Sequence, residues 1–435
     1  MAACIGIRHE DKYVMERRVP VVPAHMKKLI ENHGLTFCVQ TSPKRIFTDN
    51  EYRSVGANIK EDLKHCPIIF GVKEIPEAFF EEGKTYVFFS HVIKGQPYNM
   101  PMLKKMMELK CNLIDYEKVE DEMNRRLIFF GRFAGLAGMI NTLWSFGQRY
   151  KELGIQTPFE IIRQSHTYNS LEDARKDISK AGMEIAKHGL PEELSPFIVA
   201  VTGYGNVSNG AQEIFNLMPV KEIAPEEIPL IAQQKDLPRN VIYRAVFKEK
   251  DLAKRKDGSA FELEHYYAHP EMYEDRFAQY IPYLNGIVNG MYWDTRYPRI
   301  VTKEYLKKHF AEGNPRLAVI GDITCDPDGS IECTHKGTEI EDPVFVYHPE
   351  NGNYTMGFKG KGVLIMPVDI LPSELPREAS EAFSSALRGF VPAIAKANFN
   401  GSFDELVLPS PIKKATILHK GQLTPNYTYI EQYLK

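Results

Sequence analysis

The sequence predicts an α/β protein built of two Rossmann-like domains, with parallel sheets flanking an interdomain cleft. Three observations predict this class. Between residues 4 and 116, short and almost continuously apolar runs alternate with helical stretches, the pattern of βαβ units whose sheet is covered on both faces. In the middle of the chain another apolar run leads into a turn with two closely spaced glycines and then a helix. The length of 435 residues suits two domains of roughly 100–200 residues each.

In the first domain the predicted strands are 4–7, 36–40, 67–72, 86–90 and 112–116. Residues 23–33 form a predicted helix, with Pro23 suited to a first turn and Gly34 placed where a helix stops. The run 129–146 is the most membrane-like segment, but Arg132 and Asn141 interrupt it, and no segment reaches the ~18 consecutive apolar residues of a spanning helix. Its Gly131, Gly135 and Gly138 therefore mark a buried helix joining the two domains. In the second domain, strands are expected at 197–201 and 317–320, with a helix at 211–216. A further strand at 363–367 precedes a helix at 377–397, whose Ala382, Phe383, Ala386, Leu387, Phe390 and Val391 recur at helical spacing. The expected boundaries are 1–138 for a substrate domain, 139–340 for a dinucleotide-binding domain, and 341–435 for a segment returning to the first.

Composition excludes several function classes. The 54 Lys and Arg against 57 Asp and Glu leave a net charge of −3, which removes the electrostatic case for a nucleic-acid partner. With 43% hydrophobic and 26% charged residues the chain is not disordered. Residues 1–8 enter a strand almost at once, so no targeting leader and no membrane partner are expected. The six cysteines contain no C-x-x-C pair and most sit in apolar runs. They imply a reducing, cytoplasmic setting and no metal site. The charged stretch 248–258 is expected to be a solvated surface.

The chemistry-bearing residues gather at predicted strand ends, where open α/β sheets bind ligands. The run Ile68-Ile69-Phe70-Gly71-Val72 finishes in Lys73-Glu74, Tyr86-Val87-Phe88-Phe89-Ser90 finishes in His91, and Leu113-Ile114 runs into Asp115-Tyr116-Glu117. A lysine, a histidine and carboxylates at one edge are a candidate acid–base site. In the second domain Gly203 and Gly205, with Asn206 and Val207 after them, stand as the first part of a dinucleotide loop. Ser208 takes the usual place of the third glycine, and Gly210 follows two residues later. Asp322, after the strand at 317–320, is placed to meet a ribose hydroxyl or the substrate. A calcium loop fails there, because Thr324 takes the first ligand position and His335 the last.

The chain resembles the lysine–2-oxoglutarate reductase portion of the bifunctional aminoadipic semialdehyde synthases, within the alanine dehydrogenase, saccharopine dehydrogenase and transhydrogenase superfamily. The resemblance runs through Ile7-Arg8-His9-Glu10-Asp11, Glu16-Arg17-Arg18-Val19-Pro20, Gly71-Val72-Lys73, Phe88-Phe89-Ser90-His91 and Leu113-Ile114-Asp115-Tyr116-Glu117. It continues in Phe133-Ala134-Gly135-Leu136-Ala137-Gly138-Met139, the loop after Thr202, Asn289-Gly290-Met291-Tyr292-Trp293 and Val368-Asp369-Ile370-Leu371-Pro372. It implies reductive condensation of L-lysine with 2-oxoglutarate to saccharopine, in lysine degradation, with NADPH as the hydride donor and NAD as the alternative cofactor. The family's acid–base pair then falls on Lys73 and His91, its carboxylate-binding arginines on Arg18 and Arg126, and its acidic positions on Glu16, Glu74 and Glu117. Ile370 stands where alanine dehydrogenase-like proteins carry asparagine, which argues against alanine as substrate.

Two further readings stay open at this level. One is an NAD-dependent, lysine-forming saccharopine dehydrogenase, and the other is a nucleotide-sensing module that has lost catalysis. The acids in 221–227, after the second predicted Rossmann strand, favour an unphosphorylated ribose, while Lys221 offsets them. The length is expected to hold one reductase, with a separate glutamate-forming saccharopine dehydrogenase as a partner enzyme.

Overall fold

The computed structural model describes residues 4–234, 236–313 and 315–434, which divide into two compact units. One unit takes the chain up to Phe130 and again from Pro376, and the other is Gly131–Leu375. Among the described residues no helix is long and apolar enough to cross a membrane.

The first unit opens with strands β1 (Ile5–Ile7), β2 (Phe37–Gln40), β3 (Asn58–Lys60), β4 (Ile68–Phe70), β5 (Thr85–Phe88) and β6 (Asn112–Asp115). They pair in parallel in the order β6-β5-β4-β1-β2-β3. Every residue of β1, β2, β4, β5 and β6 is buried, which is why these strands read as unbroken apolar runs. Helix α1 (Pro23–His33) begins at its proline and stops at Gly34, whose φ of 62° is left-handed and whose N–H donates to the Ile30 carbonyl. The strand β3, polar and half exposed, gives no apolar signal.

The second unit begins with the long helix α2 (Gly131–Glu152) and continues through β7 (Phe197–Thr202), helix α3 (Asn206–Phe215), β8 (Val220–Ile223) and β9 (Ile242–Phe247). A two-stranded pair, β10 (Ala253–Arg255) with β11 (Tyr273–Asp275), precedes β12 (Gly286–Asn289), β13 (Val319–Asp322), β14 (Phe345–His348), β15 (Asn353–Met356) and β16 (Val363–Met366). The large sheet runs β15-β14-β16-β13-β12-β7-β9-β8, parallel from β16 to β8, with β14 and β15 antiparallel at one edge. The chain leaves β7 toward β8 and β9 on one side and reaches β12 on the other, so β7 and β12 flank the topological switch point.

Helix α4 (Pro376–Leu387) then returns to the first unit, where β17 (Thr416–His419) pairs antiparallel with β6 and carries β18 (Gln422–Leu423). The Ser380 and Ser384 hydroxyls of α4 accept the Val19 and Val22 amides at 3.0 and 3.1 Å. The return begins at Pro376 rather than at residue 341, because β14, β15 and β16 pair into the second sheet. The first stretch likewise ends at Phe130, before 138. The single helix expected over 377–397 is interrupted, and a short helix, Val391–Lys396, follows after Gly389.

Candidate active site

The parallel pairing of β1, β4, β5 and β6 brings their carboxyl ends to one edge of the first sheet. Lys73 and Glu74 follow β4, His91 follows β5, Glu117 follows β6, and Glu10, Glu16 and Arg18 follow β1. Both strands end two residues sooner than the apolar runs suggest, so Lys73 and His91 sit on the loops beyond them.

His91 has a φ of 49°, a left-handed backbone uncommon outside glycine. The Asn99 amide donates to its carbonyl at 3.2 Å, and its ring stacks on Phe89 at 6.0 Å. Its Nδ1 donates to Glu74 Oε1 at 2.7 Å, and Lys12 Nζ reaches the same oxygen at 2.7 Å. Burial alone would raise the Glu74 carboxyl, but the His91 hydrogen bond and charge, then Lys12, hold it well below the usual carboxylate range. The other oxygen, Glu74 Oε2, is buried and accepts nothing from the described residues.

Lys73 is positioned through its backbone. Glu10 is 5% exposed, and its two oxygens accept the Val72 and Lys73 amides at 2.8 and 2.9 Å. Burial, then the Glu16 charge, pushes Glu10 up to about 7. Burial would also raise Glu16, but the Arg18 charge and hydrogen bonds outweigh it, with a smaller contribution from Lys73, and hold Glu16 down.

Arg18 is not an open anion fork. Its Nε donates to Glu16 Oε1 at 2.8 Å and its Nη2 to Glu16 Oε2 at 2.5 Å, a buried bidentate pair, while its guanidinium lies 4.1 Å from the Phe130 ring centre. Arg126 is exposed, with its guanidinium 6.0 Å from the Phe89 ring. Phe89, Tyr116, Phe130 and Phe383 pack on one another beneath this edge. Half-buried Glu117 donates its amide to Asp115 Oδ1 at 2.8 Å. Burial raises Asp115, which also takes the Ser90 amide and hydroxyl. Sequence reasoning missed Glu10 and Lys12 as site-builders, since nothing local marks a side chain that reaches the end of a neighbouring strand.

In the second unit the glycine loop is tighter than expected. Helix α3 starts at Asn206, with Gly205 as its N-cap, so Asn206 and Val207 are already helical. Gly203 has a φ of 80°, and a side chain there would press on Met291 Cα at 3.1 Å. Gly205 faces open space, as a backbone approached by a ligand must. Ser208, in the third glycine's usual place, donates its hydroxyl to the Gly203 carbonyl at 2.7 Å. The displaced Gly210 serves another contact, because a Cβ there would collide with the Arg132 carbonyl of α2. Gly135 does the same from the α2 side against the Val207 carbonyl. The loop is thus braced by two backbone-to-backbone helix contacts.

A cavity of about 270 Å³ opens beside this loop, lined from the ends of β7, β9 and β12 by residues including Gly203, Gly205, Lys248, Glu249, Tyr267 and Gly290. Glycine backbone, a helix N-terminus and this hollow at the switch point fit a dinucleotide. One expectation changes here. The strand beside β7 is β9, and β8 with its acidic 221–227 stretch lies at the sheet edge, so Lys248 and Glu249, rather than that stretch, stand beside the glycine loop. Lys248 is solvated as expected, with its Nζ 5.7 Å from the Tyr204 ring, and Glu249 accepts from the Tyr204 and Tyr267 hydroxyls at 3.2 and 3.0 Å. Asp322 is 1% exposed and already accepts from Asn289, Thr324 and Thr334 at 2.9, 2.7 and 2.6 Å. It braces the ends of β12 and β13, with Asn289 and Thr324 on Oδ1 and Thr334 on Oδ2.

Cys4, Cys38 and Cys66 stand far apart in sequence, and the fold brings their sulfurs together with His65.

Residues 6–137 match the family model for the alanine dehydrogenase/PNT N-terminal domain. Over 99% of its length the chain is 39% identical to an alpha-aminoadipic semialdehyde synthase of Arabidopsis thaliana and 35% identical to the mitochondrial one of Bos taurus. The chain covers 41% and 48% of those relatives, so it spans about half the length of the curated proteins it matches there. A saccharopine dehydrogenase [NAD(+), L-lysine-forming] of Emericella nidulans is 27% identical over 88% of this chain and 90% of its own. Among solved structures, an L-alanine dehydrogenase superposes with a TM-score of 0.63 at 16% identity, covering 99% of this chain and 100% of its own, a likeness of fold. The two-domain Rossmann-like class and the relationship read from the motifs are both borne out.

Proposed function

We propose that this chain catalyses the NADPH-dependent reductive condensation of L-lysine with 2-oxoglutarate to saccharopine, an oxidoreductase reaction on a CH–NH bond. One observation carries the proposal. Adjacent strand ends deliver Lys73 and a hydrogen-bonded Glu74–His91 pair to one sheet edge, in a chain 39% identical to an alpha-aminoadipic semialdehyde synthase.

The reaction needs a proton removed from the substrate's ε-ammonium, a proton passed during carbinolamine collapse, and a proton given to the departing hydroxyl. Lys73 and His91 are the groups assigned to these transfers. Glu74 fixes the His91 ring through Nδ1, which leaves Nε2 as the working nitrogen. The unpaired Glu74 Oε2 and the carboxylate of Glu117 are assigned to the incoming ammonium. Arg126, exposed beside Phe89, is assigned to a substrate carboxylate. Arg18 engages Glu16 through Nε and Nη2, so Nη1 is its donor toward a second carboxylate. When bound, the dinucleotide supplies the hydride that reduces the imine, and Gly203, Gly205, Asn206 and Val207 are the residues assigned to hold its pyrophosphate.

NADPH is preferred in this reading because Lys248, a solvated cation at the end of β9, replaces the carboxylate that commonly binds an unmodified ribose there. Glu249 and the Emericella relative favour the second reading, an NAD-linked, lysine-forming saccharopine dehydrogenase. A separate glutamate-forming enzyme is the proposed partner, and the free thiols suit a reducing compartment such as the cytoplasm.

The test follows cofactor absorbance with lysine and 2-oxoglutarate, each omitted in turn, and repeats it with Lys73→Met. Oxidation of NADPH that needs both substrates and is lost in the variant supports the proposal. No oxidation with both present overturns it in favour of a nucleotide-sensing module, and turnover with NADH alone moves it to the second reading.

A further inference from the structure

Three cysteines and a histidine far apart in sequence converge at the amino ends of three neighbouring strands of the first unit. Cys4 directly precedes β1, Cys38 is the second residue of β2, and His65-Cys66 lead into β4, with β1 lying between β2 and β4. The Cys4 and Cys38 sulfurs are 3.2 Å apart, Cys66 Sγ is 3.7 Å from Cys4 Sγ, and His65 Nε2 is 3.1 Å from Cys38 Sγ. All four ligand atoms lie within 4.8 Å of one another. A tetrahedral zinc ion bound at ~2.3 Å by sulfur and ~2.0–2.1 Å by nitrogen holds its ligand atoms roughly 3.5–3.8 Å apart. The side chains therefore already stand near the corners of such a tetrahedron.

We propose that Cys4, Cys38, His65 and Cys66 form a tetrahedral zinc site that ties together the amino ends of β1, β2 and β4. The donor set, three sulfurs and one imidazole, is that of closed structural zinc centres, and it fills four positions without water. Its place at the opposite ends of the strands from Lys73 and His91 assigns it to holding the sheet rather than to the reaction. Cys38 and Cys66 are buried, Cys4 is half-buried, and exposed His65 closes the site from solvent, leaving a path for the ion. Binding of a divalent ion by the three thiols and the imidazole forms three metal–sulfur bonds and one metal–nitrogen bond and releases the three thiol protons to solvent.

The full chain, purified without chelator, is expected to carry about one equivalent of zinc per chain by mass spectrometry of the metal. Replacement by Co²⁺ is expected to give the visible ligand-field bands of a tetrahedral site with thiolate-to-cobalt charge transfer. His65→Ala, at an exposed position, is expected to keep the charge transfer and weaken cobalt binding at least tenfold. Failure of the reduced protein to bind either metal with thiolate bands overturns the proposal. So does a Cys4–Cys38 disulfide in metal-free protein purified without reductant, or cobalt binding that is the same in His65→Ala. None of these readouts depends on the proposed reaction.

Discussion

Glu74 accepts the Nδ1 proton of His91 across two adjacent strand ends at 2.7 Å, and Lys12 meets the same carboxylate oxygen from the β1 side. A carboxylate shared in this way fixes the imidazole ring and holds its charge on a buried side chain between two partly exposed partners.

Removing that pair has two consequences. His91→Asn is expected to lower kcat by about 10²–10⁴, the usual contribution of a positioned acid–base group, and Glu74→Gln by about tenfold or more. Because Glu74 is held below its ordinary 4.5, its ion pair stabilises the fold fully above that pH and is lost as acid protonates it. The melting difference between wild type and Glu74→Gln is therefore expected to shrink progressively as pH falls below 4.5, while kinetics at neutral pH separate them.

Arg18 and Glu16 are both buried, so truncating one leaves a charge without its partner. Arg18→Leu is expected to destabilise the fold by about 3–5 kcal/mol. The double variant Arg18→Leu with Glu16→Gln is expected to recover a large part of that loss. Urea denaturation of the three proteins measures both values.

Cofactor choice is expected to move with one side chain. Lys248→Ala should raise KM for NADPH by about 10–100-fold, the worth of one charge-assisted hydrogen bond, and change KM for NADH by less than about twofold. Steady-state kinetics with the two cofactors read the difference directly.

The glycine loop depends on how closely α2 and α3 approach. Gly135→Ala sets a methyl group against the Val207 carbonyl in the first turn of α3. The expected cost is about 1–3 kcal/mol of stability. A matching weakening of dinucleotide binding, measured by fluorescence titration, is expected because α3 carries the loop.

Glu374 titrates in the opposite sense from Glu74. It is 2% exposed and accepts from the Asn141 amide and the His166 backbone at 2.7 and 3.1 Å, yet burial pushes it up to about 8. The folded state keeps this proton where the unfolded chain has already released it. Stability is therefore greatest below the ordinary 4.5 and falls as pH rises toward about 8. Glu374→Gln is expected to flatten the change in Tm between pH 5 and pH 8, whatever its effect on the absolute Tm.

Some of this was legible in the residues. The strands β1, β2, β4, β5 and β6 announce themselves because both faces are buried, and Lys73, His91 and Glu117 follow them directly in sequence. Other parts carry no local signal. The strand β3 is polar, Gly210 reads as a displaced loop glycine, and nothing local to Asp322 announces that it accepts from Asn289 and Thr334.

The sequence by itself determined the α/β class, the main strands, and which chemical groups stand at the ends of those strands. These rest on apolar runs and turn residues, which act over a few neighbouring positions. Only the tertiary structure decided that β9 rather than β8 lies beside β7, and so which charges stand beside the glycine loop. It alone brought Glu10 to the Lys73 amide and the thiols of Cys4, Cys38 and Cys66 to His65. The physical reason is the same in each case. Which strands pair, and which buried side chains then touch, depends on packing between segments far apart in the chain, and no local periodicity encodes that choice.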